Sequence, residues 1–300
     1  MDEKNFTESI NPKYSDNEIE EDKNTDNIIT DTKDNKNVDG LINATLITGA
    51  SSGIGLEFAK VFAREGHNLV LVARSEETLK ELKAQLEKEY DIKVKIIIQD
   101  LKYYNAPTLI LDEVKRSKIN INILVNNAGF GNHGKFSDTY LETELEMIQV
   151  NITALTHLTK LFLKDMITYN NGRILNVAST AAFQPGPLMA VYFATKAYVL
   201  SFSEALAEEL RDTKIRVTTL CPGPTATNFS KAANTQDTKM FGKNIPTGKE
   251  VAEYGYYALV NGKRVAIYGF KNKILAQSNR FAPRKMVTRM IKKIQDKKEK

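Results

Sequence analysis

The stretch that decides the fold is "TLITGASSGIGLEFAKVF", residues 45–62. It opens with an apolar run typical of a buried parallel strand and closes with apolar residues at helical spacing. Between them lie Gly49, Gly53 and Gly55, where the missing side chains permit a tight turn and let an anionic ligand approach the backbone. A helix that begins there offers unpaired N–H groups and the positive end of its dipole to a phosphate. A plain strand–helix connector is the competing interpretation.

The same alternation of strand and helix continues to residue 269. Alternation of this kind predicts an α/β fold, a single Rossmann-type doubly wound parallel sheet of about seven strands with helices on both faces and right-handed crossovers. The predicted strands cover residues 44–48, 68–73, 94–99, 121–126, 173–179, 215–220 and 264–269, and the predicted helices cover 53–66, 76–90, 107–118, 140–168, 190–212 and 248–261.

Charge is distributed unevenly along the 300 residues. The net charge of +5 combines an acidic start, with 12 Asp/Glu and 5 Lys/Arg in residues 1–40, and a basic end, with 11 Lys/Arg and 2 acidic residues in 271–300. The basic balance therefore belongs to one end and is not the footprint of a nucleic-acid-binding fold. We expect a disordered acidic tail at 1–40, a dinucleotide-binding domain at 41–270 and a basic helical extension at 271–300.

Composition also bears on location and on metals. No apolar run approaches the roughly 18–20 residues that a membrane span needs, and no signal peptide is visible, so we expect no transmembrane segment. Cys221 is the single cysteine, which rules out an internal disulfide and suits a cytoplasmic protein. His67, His133 and His157 are scattered without metal-ligand spacing. We expect no metal site.

A second informative stretch is "AVYFATKAYVLSF", residues 190–202, which holds a tyrosine and a lysine four positions apart. Four helical residues leave two side chains about 40° apart and one turn along the axis. An ammonium that close favours the phenolate and lowers the pKa of the phenol, which makes Tyr192 and Lys196 a candidate proton-transfer pair. The structural alternative is an ordinary helix whose long polar side chains reach water.

These stretches belong to an ordered set of motifs. "TGASSGIG" (48–55), "NNAG" (126–129), Asn151, Ser179 and "YFATK" (192–196) resemble the motifs of the short-chain dehydrogenase/reductase family, in that family's order. Each motif alone is weak, whereas the set is specific, and the resemblance covers residues 43 to about 270. Two further segments, "NNAGFGNHGKF" and "ASTAAFQPGPLMAVYFATKAYV", look most like the family's DltE-like branch.

The resemblance implies a nicotinamide dinucleotide, and the end of the second strand bears on which one. Ala73 stands where an NAD enzyme usually presents a carboxylate, and Arg74 follows with a guanidinium suited to a 2′-phosphate. We therefore expect NADP(H); a solvated loop arginine is the alternative for Arg74. The cofactor residues implied are Gly49, Ser51, Ser52, Gly53, Ile54, Gly55, Arg74, Asp100, Leu101, Asn127, Ala128, Gly129, Tyr192, Lys196, Pro222, Gly223 and Thr227, with Thr225 competing with Thr227, while Asn126 is expected to brace the sheet.

The resemblance also implies four catalytic residues. Ser179 polarises the substrate carbonyl, Tyr192 exchanges the proton, Lys196 tunes Tyr192 and holds the nicotinamide ribose, and Asn151 supports a water-linked proton relay. Ser179, Phe183 and Tyr192 are expected to contact the substrate. Other residues flank motifs that reach the crevice and are expected to line its substrate end, and segment 229–248 is expected to act as a lid. These further lining residues are Phe130, His133, Gln184, Leu188 and Met189.

The function predicted is an NADP(H)-dependent oxidoreductase that interconverts a ketone and a secondary alcohol. A reductase of 3-oxoacyl thioesters or steroid ketones is the alternative within the family; a catalytically idle NADP(H)-binding regulator is the alternative outside it, and a nucleic-acid-binding module is not expected. The helices at 140–168 and 190–212 are expected to form a homodimer or homotetramer. At the basic end, apolar residues at helical spacing can pack on the domain, on a partner subunit or on an anionic membrane surface. They are Met286, Val287, Met290, Ile291 and Ile294.

Overall fold

The computed structural model describes residues 40–235, 238, 245–279 and 281–296. Its strands are β1 (Ile42–Thr48), β2 (Leu69–Ala73), β3 (Val94–Ile98), β4 (Ile119–Asn126), β5 (Gly172–Val177), β6 (Ile215–Cys221) and β7 (Val265–Ile267). All seven join one sheet in the order β3-β2-β1-β4-β5-β6-β7, and every neighbouring pair is parallel. The predicted doubly wound sheet is confirmed.

The helices lie where the apolar spacing predicts them. The predicted helix over 140–168 is one continuous element, but a π-helical turn at Gln149–Ala154 divides it. A short 3₁₀ helix at Thr180–Phe183 follows β5. The α-helices are α1 (Gly53–Arg64), α2 (Glu76–Glu89), α3 (Ala106–Arg116), α4 (Leu141–Ile148), α5 (Leu155–Tyr169), α6 (Ala190–Glu209), α7 (Phe229–Ala232), α8 (Gly248–Val260), α9 (Phe270–Ser278) and α10 (Arg284–Gln295).

Each face of the sheet carries its own apolar core. On one face, the strands pack against α1, α2 and α8, with Phe58 and Phe62 of α1 fully buried. On the other face they pack against α3, α5 and the end of α6, with Leu158 and Phe162 of α5 buried. A strand covered on both faces reads as a continuous apolar run, which is why the strands were visible in the sequence.

The strand order reverses direction at β1. From β1 the chain proceeds outward to β2 and β3, then returns to β4 on the opposite side and continues to β7. The connections on the two sides of this point diverge and leave a crevice at the carboxyl ends of β1 and β4, the usual ligand site of such sheets. The glycine turn, residues 49–53, lies directly after β1 and therefore at this crevice.

A buried hydrogen-bond network ties the middle strands to the helices of one face. The Asn126 amide donates to the Thr159 hydroxyl (3.0 Å) and to the Asn176 side-chain oxygen (2.9 Å). Asn176 in turn donates to the Ser203 hydroxyl at 2.9 Å. The network links β4, β5, α5 and α6 just below the crevice, so the expectation that Asn126 braces the sheet is confirmed.

The basic extension predicted at 271–300 contains two helices, α9 and α10. Pro283 directly precedes α10 with a φ of −57°, a conformation that suits a helix start. The acidic tail predicted at 1–40 and part of the lid predicted at 229–248 lie outside the described residues. No helix among the described residues has both the length and the hydropathy that a bilayer crossing requires.

We predict that Asn176→Ala lowers the free energy of unfolding by about 2–3 kcal/mol, because it removes two buried hydrogen bonds and leaves their partners without replacement. Urea denaturation followed by circular dichroism measures the change. Asn105→Ala is the matched control, since the Asn105 side chain is exposed and makes no capping bond at the start of α3. Equal stability of the two variants would contradict a stabilising role for the network.

Candidate active site

The glycine turn has the backbone geometry of a phosphate-binding loop. Gly49 and Gly53 have φ values of +67° and +56°, a region that other residues enter at a cost. A side chain at Gly55 would collide with the Gly49 carbonyl oxygen, so α1 can begin this close to β1 only with glycine there. Ser52 precedes α1 without capping it, which leaves the first N–H groups of the helix directed at the crevice. Ser51 belongs to the same turn, and Ile54 is the second residue of α1.

The segment after β4 is fixed directly to this turn. The Thr48 hydroxyl accepts the backbone N–H of Asn127 and of Ala128, both at 3.0 Å. The Asn127 amide donates to the Thr48 carbonyl at 2.9 Å. These bonds hold residues 127–129 beside the glycine turn, as the sequence predicted for a shared dinucleotide site.

Arg74 and Asp100 meet at the same edge, after β2 and β3. The Arg74 Nη1 lies 3.8 Å from the Asp100 Oδ2, and the Arg74 side chain is 76% exposed. An exposed pair at this distance contributes little stability. The guanidinium is therefore available to an anion that arrives beside Asp100. Leu101 follows and is buried.

The turn after β6 places the two competing threonines differently. The Thr225 hydroxyl donates to the Gly223 carbonyl at 3.0 Å, which closes a local turn. Thr227 lies against Gly53, where an added side chain would meet it. Pro222 faces the other side of the crevice, since its carbonyl accepts the Thr180 N–H at 2.9 Å. Of the two threonines, Thr227 is the one in contact with the glycine turn.

Ser179, Tyr192 and Lys196 converge beyond the end of β5. Ser179 caps the 3₁₀ helix, its hydroxyl accepting the Ala181 N–H at 3.1 Å, and it forms a side-chain hydrogen bond with Tyr192. One turn along α6, the buried Lys196 ammonium donates to the Val177 carbonyl at 2.8 Å. Its Nζ lies 5.8 Å from the centre of the Tyr192 ring. The predicted catalytic pair therefore shares one buried face with Ser179.

Asn151 reaches this group because it lies in the π-helical turn. Its amide donates to the Phe130 carbonyl (2.9 Å) and the Thr195 hydroxyl (3.0 Å), and its oxygen accepts the Phe130 N–H (3.1 Å). A methyl group at Gly129 would lie 3.0 Å from the Asn151 Oδ1 and 3.4 Å from the Lys196 Nζ. Only a glycine leaves the space between these two side chains open. Single-turn π insertions are frequent at functional sites.

The protonation of the catalytic pair differs from the sequence expectation. Burial raises the pKa of the Tyr192 phenol from 10.0 to about 12, although its hydrogen bond with Ser179 acts in the opposite sense. Burial also lowers the pKa of the Lys196 ammonium from 10.5 to about 8. Loss of hydration disfavours both charged forms, and for Tyr192 it outweighs the hydrogen bond with Ser179. The phenol therefore holds its proton at neutral pH.

An apolar cluster surrounds Tyr192 on the side away from Lys196. The Tyr192 ring lies 5.5 Å from that of Phe229, and a side chain at Gly131 would touch Tyr192, Phe229 and Met189. Phe130 packs at the edge of this cluster. The predicted lining by Phe130 and Met189 fits this arrangement, which forms a mainly apolar wall beside the Tyr192 ring.

Phe183, predicted to contact substrate, packs elsewhere. It joins a neighbouring apolar cluster with Val199 and Cys221, because the 3₁₀ helix after Ser179 turns it away from Tyr192. Gln184 accepts a hydrogen bond from the Asn279 amide at 2.7 Å, just beyond α9. The structure does not place these two residues in the Tyr192 cluster.

The C-terminal helix contributes residues that sequence reasoning missed. Ile291 of α10 packs against the Tyr192 cluster. The Gln295 main-chain carbonyl accepts a hydrogen bond from the His133 Nε2 at 2.9 Å, and its side chain is buried. The helical spacing of the apolar residues gave a signal that α10 packs on something, but spacing does not identify the surface. In the described part of the chain, no group of three or more His, Cys, Asp or Glu could hold a metal ion.

Comparison with known proteins identifies the family. The short chain dehydrogenase family profile matches residues 43–238. The chain is 37% identical over 201 residues to a 17-beta-hydroxysteroid dehydrogenase type 3 of Mus musculus, covering 65% of this chain and 64% of that protein. It is 32% identical over 194 residues to a very-long-chain 3-oxoacyl-CoA reductase of Rattus norvegicus, covering 62% and 60%. The chain thus spans less than two thirds of the length of these two relatives.

A solved structure shares both fold and sequence. A short-chain dehydrogenase from Sphingobium yanoikuyae in complex with NADPH has a TM-score of 0.72 and 31% identity, covering 80% of this chain and 94% of that one. The narrower resemblance to the DltE-like branch stays a prediction. The glycine turn, the ordered motifs and these matches agree, and the chain belongs to the short-chain dehydrogenase/reductase family of oxidoreductases.

Proposed function

We propose that this oxidoreductase uses NADP(H) to interconvert a ketone and a secondary alcohol. The observation that carries the proposal is the convergence of the half-buried Ser179 with the buried Tyr192 and Lys196, close to the segment after β4 that is fixed to the glycine turn. Phenylalanine would fill this buried position as well as tyrosine does. Packing alone therefore does not explain a buried phenol that is hydrogen-bonded to a serine. It suits an oxygen that must receive a proton as it gains negative charge.

The chain's own residues can carry the proton and charge transfers of carbonyl reduction. When bound, the dinucleotide supplies the hydride that the carbonyl carbon gains. The Ser179 hydroxyl donates a hydrogen bond to the carbonyl oxygen, which takes the electron pair of the broken C–O π bond. Tyr192 then gives its proton to that oxygen and becomes the phenolate, which the Lys196 ammonium stabilises. Oxidation reverses each transfer.

Lys196 and Asn151 have positioning roles as well. Lys196 lies 3.4 Å from the position of a methyl group at Gly129, so its ammonium faces the segment that follows β4 and can hold the cofactor ribose there. Among the described residues, Asn151 makes its hydrogen bonds to Phe130 and Thr195 rather than to Lys196. A proton relay near Asn151 would therefore need a water molecule as the proton carrier.

The preference for NADP(H) rests on the residues after β2. Ala73 offers no carboxylate to a ribose hydroxyl, and the exposed Arg74 can replace its weak contact with Asp100 by bidentate bonds to a 2′-phosphate. The Sphingobium yanoikuyae structure, which holds NADPH, supports the same choice.

An apolar substrate fits the wall beside Tyr192. Met189, Phe229 and Ile291 offer no charged group to a substrate. The two mammalian relatives, a 17-beta-hydroxysteroid dehydrogenase and a very-long-chain 3-oxoacyl-CoA reductase by name, support a steroid ketone or a 3-oxoacyl thioester as the second candidate. Both are bulky molecules with one reacting carbonyl.

A homodimer or homotetramer remains part of the proposal. Large apolar side chains are exposed on the helices predicted to meet in an oligomer: Leu141 and Leu145 on α4, Ile167 on α5 and Tyr198 on α6. A contact between copies would remove this surface from water.

We predict that Tyr192→Phe lowers the rate of ketone-dependent NADPH oxidation by a factor of about 10²–10⁴, because the variant lacks the proton donor. A panel of bulky ketones and 3-oxoacyl thioesters, followed at the absorbance of NADPH, gives the rate. Tyr256→Phe is the control, since it removes a buried hydroxyl that lies 3.3 Å from the His67 Nε2 on the far side of the sheet. Turnover by Tyr192→Phe at the parent rate would exclude the mechanism.

We predict that Arg74→Ala weakens NADPH binding about 10- to 100-fold and leaves NADH binding nearly unchanged, because a charge-assisted bond to the 2′-phosphate is lost. Fluorescence titration of each cofactor measures both constants. Arg116→Ala removes another exposed arginine with one acidic partner and should alter neither. If the ratio of the NADPH and NADH binding constants is unchanged in Arg74→Ala, the Arg74 side chain does not contact the 2′-phosphate.

We predict that kcat/KM for NADPH falls as the pH rises through about 8. This parameter reports groups of the cofactor-free enzyme, in which Lys196 has a pKa of about 8 and is charged only below it. Tyr192, with a pKa of about 12, stays protonated over the same range. A pH profile at saturating ketone is the measurement, and a profile flat to pH 10 would show that the Lys196 charge is not required.

A further inference from the structure

Helix α10 packs on the domain with one row of side chains. Val287, Ile291 and Gln295 follow one another at four-residue steps and so share one face. Val287 and Gln295 are buried, and Ile291 packs against the Tyr192 cluster. The hydrogen bond between His133 and the Gln295 carbonyl fixes the end of the helix. We call Val287, Ile291 and Gln295 the inner row, through which α10 packs on the domain.

A second apolar row of α10 stays exposed. Met286, Met290 and Ile294 also follow at four-residue steps, and their exposed fractions are 58%, 46% and 38%. At 100° per residue, the centre of this outer row lies about 100° round the helix from that of the inner row. Packing on the domain therefore accounts for only two of the five apolar side chains that the sequence singled out.

The rest of the α10 surface is positively charged. The helix has five Lys or Arg and no acidic residue, and all five are exposed. Within the part of the chain that the structure describes, none of the five forms an ion pair. By helical angle, two of them, Arg289 and Lys293, lie beyond the outer row on the side away from the inner row. Lys285 and Lys292 lie beyond the inner row on its other side, and Arg284, in the first turn, lies within the arc of the inner row.

We propose that α10 docks this protein on an anionic membrane surface. The unpaired cations complement acidic lipid headgroups, and the outer row can enter the interface beside them, the arrangement of a helix that lies on a bilayer. A second copy of the helix would bring the same five cations against the first and repel it. A nucleic-acid backbone would satisfy the cations but would leave Met286, Met290 and Ile294 in water.

Docking through this surface has a consequence for the crevice. A helix with its side chains is about 10 Å across, so the outer row and the Tyr192 cluster lie on different sides of a single helix. An apolar substrate would reach the site from the bilayer. The docking itself stands independently of the chemistry proposed above, because no catalytic residue takes part in it.

The test is co-sedimentation of the full chain with vesicles at about 0.1 M salt. We expect binding to phosphatidylcholine vesicles that contain about one third phosphatidylserine, and little binding to phosphatidylcholine alone. Arg289→Glu/Lys293→Glu and, separately, Met290→Ser/Ile294→Ser should each weaken binding at least about tenfold. Circular dichroism and thermal unfolding of each variant show that the fold is retained.

A matched control keeps the test specific to α10. Lys88→Glu/Lys115→Glu makes the same change of net charge with two exposed lysines of α2 and α3 and should bind vesicles like the parent. An equal loss of vesicle binding in the control would show that overall charge causes the effect, and it would overturn the proposal. So would the absence of vesicle binding, binding unchanged by the α10 variants, or concentration-dependent self-association lost on Met290→Ser/Ile294→Ser in place of lipid binding.

Discussion

The buried Lys196 ammonium donates a hydrogen bond to the main-chain carbonyl of Val177. Burying a cation is costly unless the surroundings replace its hydration, and here the end of β5 does so in part. The remaining cost appears as the lowered pKa of Lys196. Burial of the Tyr192 phenol separately raises the pKa of that group. Both shifts require a rigid frame, which the strands and the buried amides beneath them provide.

That frame brings residues from distant parts of the chain to one edge. Thr48 joins the first and fourth strands by accepting two N–H groups, and Gly129 leaves room for both Asn151 and Lys196. The glycine turn and the group proposed to transfer the proton are thus linked by hydrogen bonds and the segment after β4 into one assembly. A substitution beside the glycine turn can therefore shift the position of Lys196 or Asn151, because Gly129 alone separates them from the segment bound to Thr48.

The sequence predicts most of the sheet and the glycine turn. Strands that are buried on both faces appear as continuous apolar runs, and backbone positions with positive φ appear as glycines. It does not predict the π-helical turn at Asn151, since one extra residue per turn leaves no periodic signal over six residues. The position of Phe183 depends on a 3₁₀ helix too short to recognise. The direction of the Tyr192 pKa shift was also missed, because spacing shows the nearby charge but not the loss of water.

Because α10 lies late in the chain, the candidate site forms in stages during synthesis. The glycine turn is complete at Gly53, near the start of the described chain, whereas Ile291 and Gln295 close the apolar wall from the last described helix. During synthesis the sheet can form while that wall is still incomplete. Only after residue 295 has left the ribosome can the apolar wall beside Tyr192 take its final shape, so the two sides of the candidate site are made at different times.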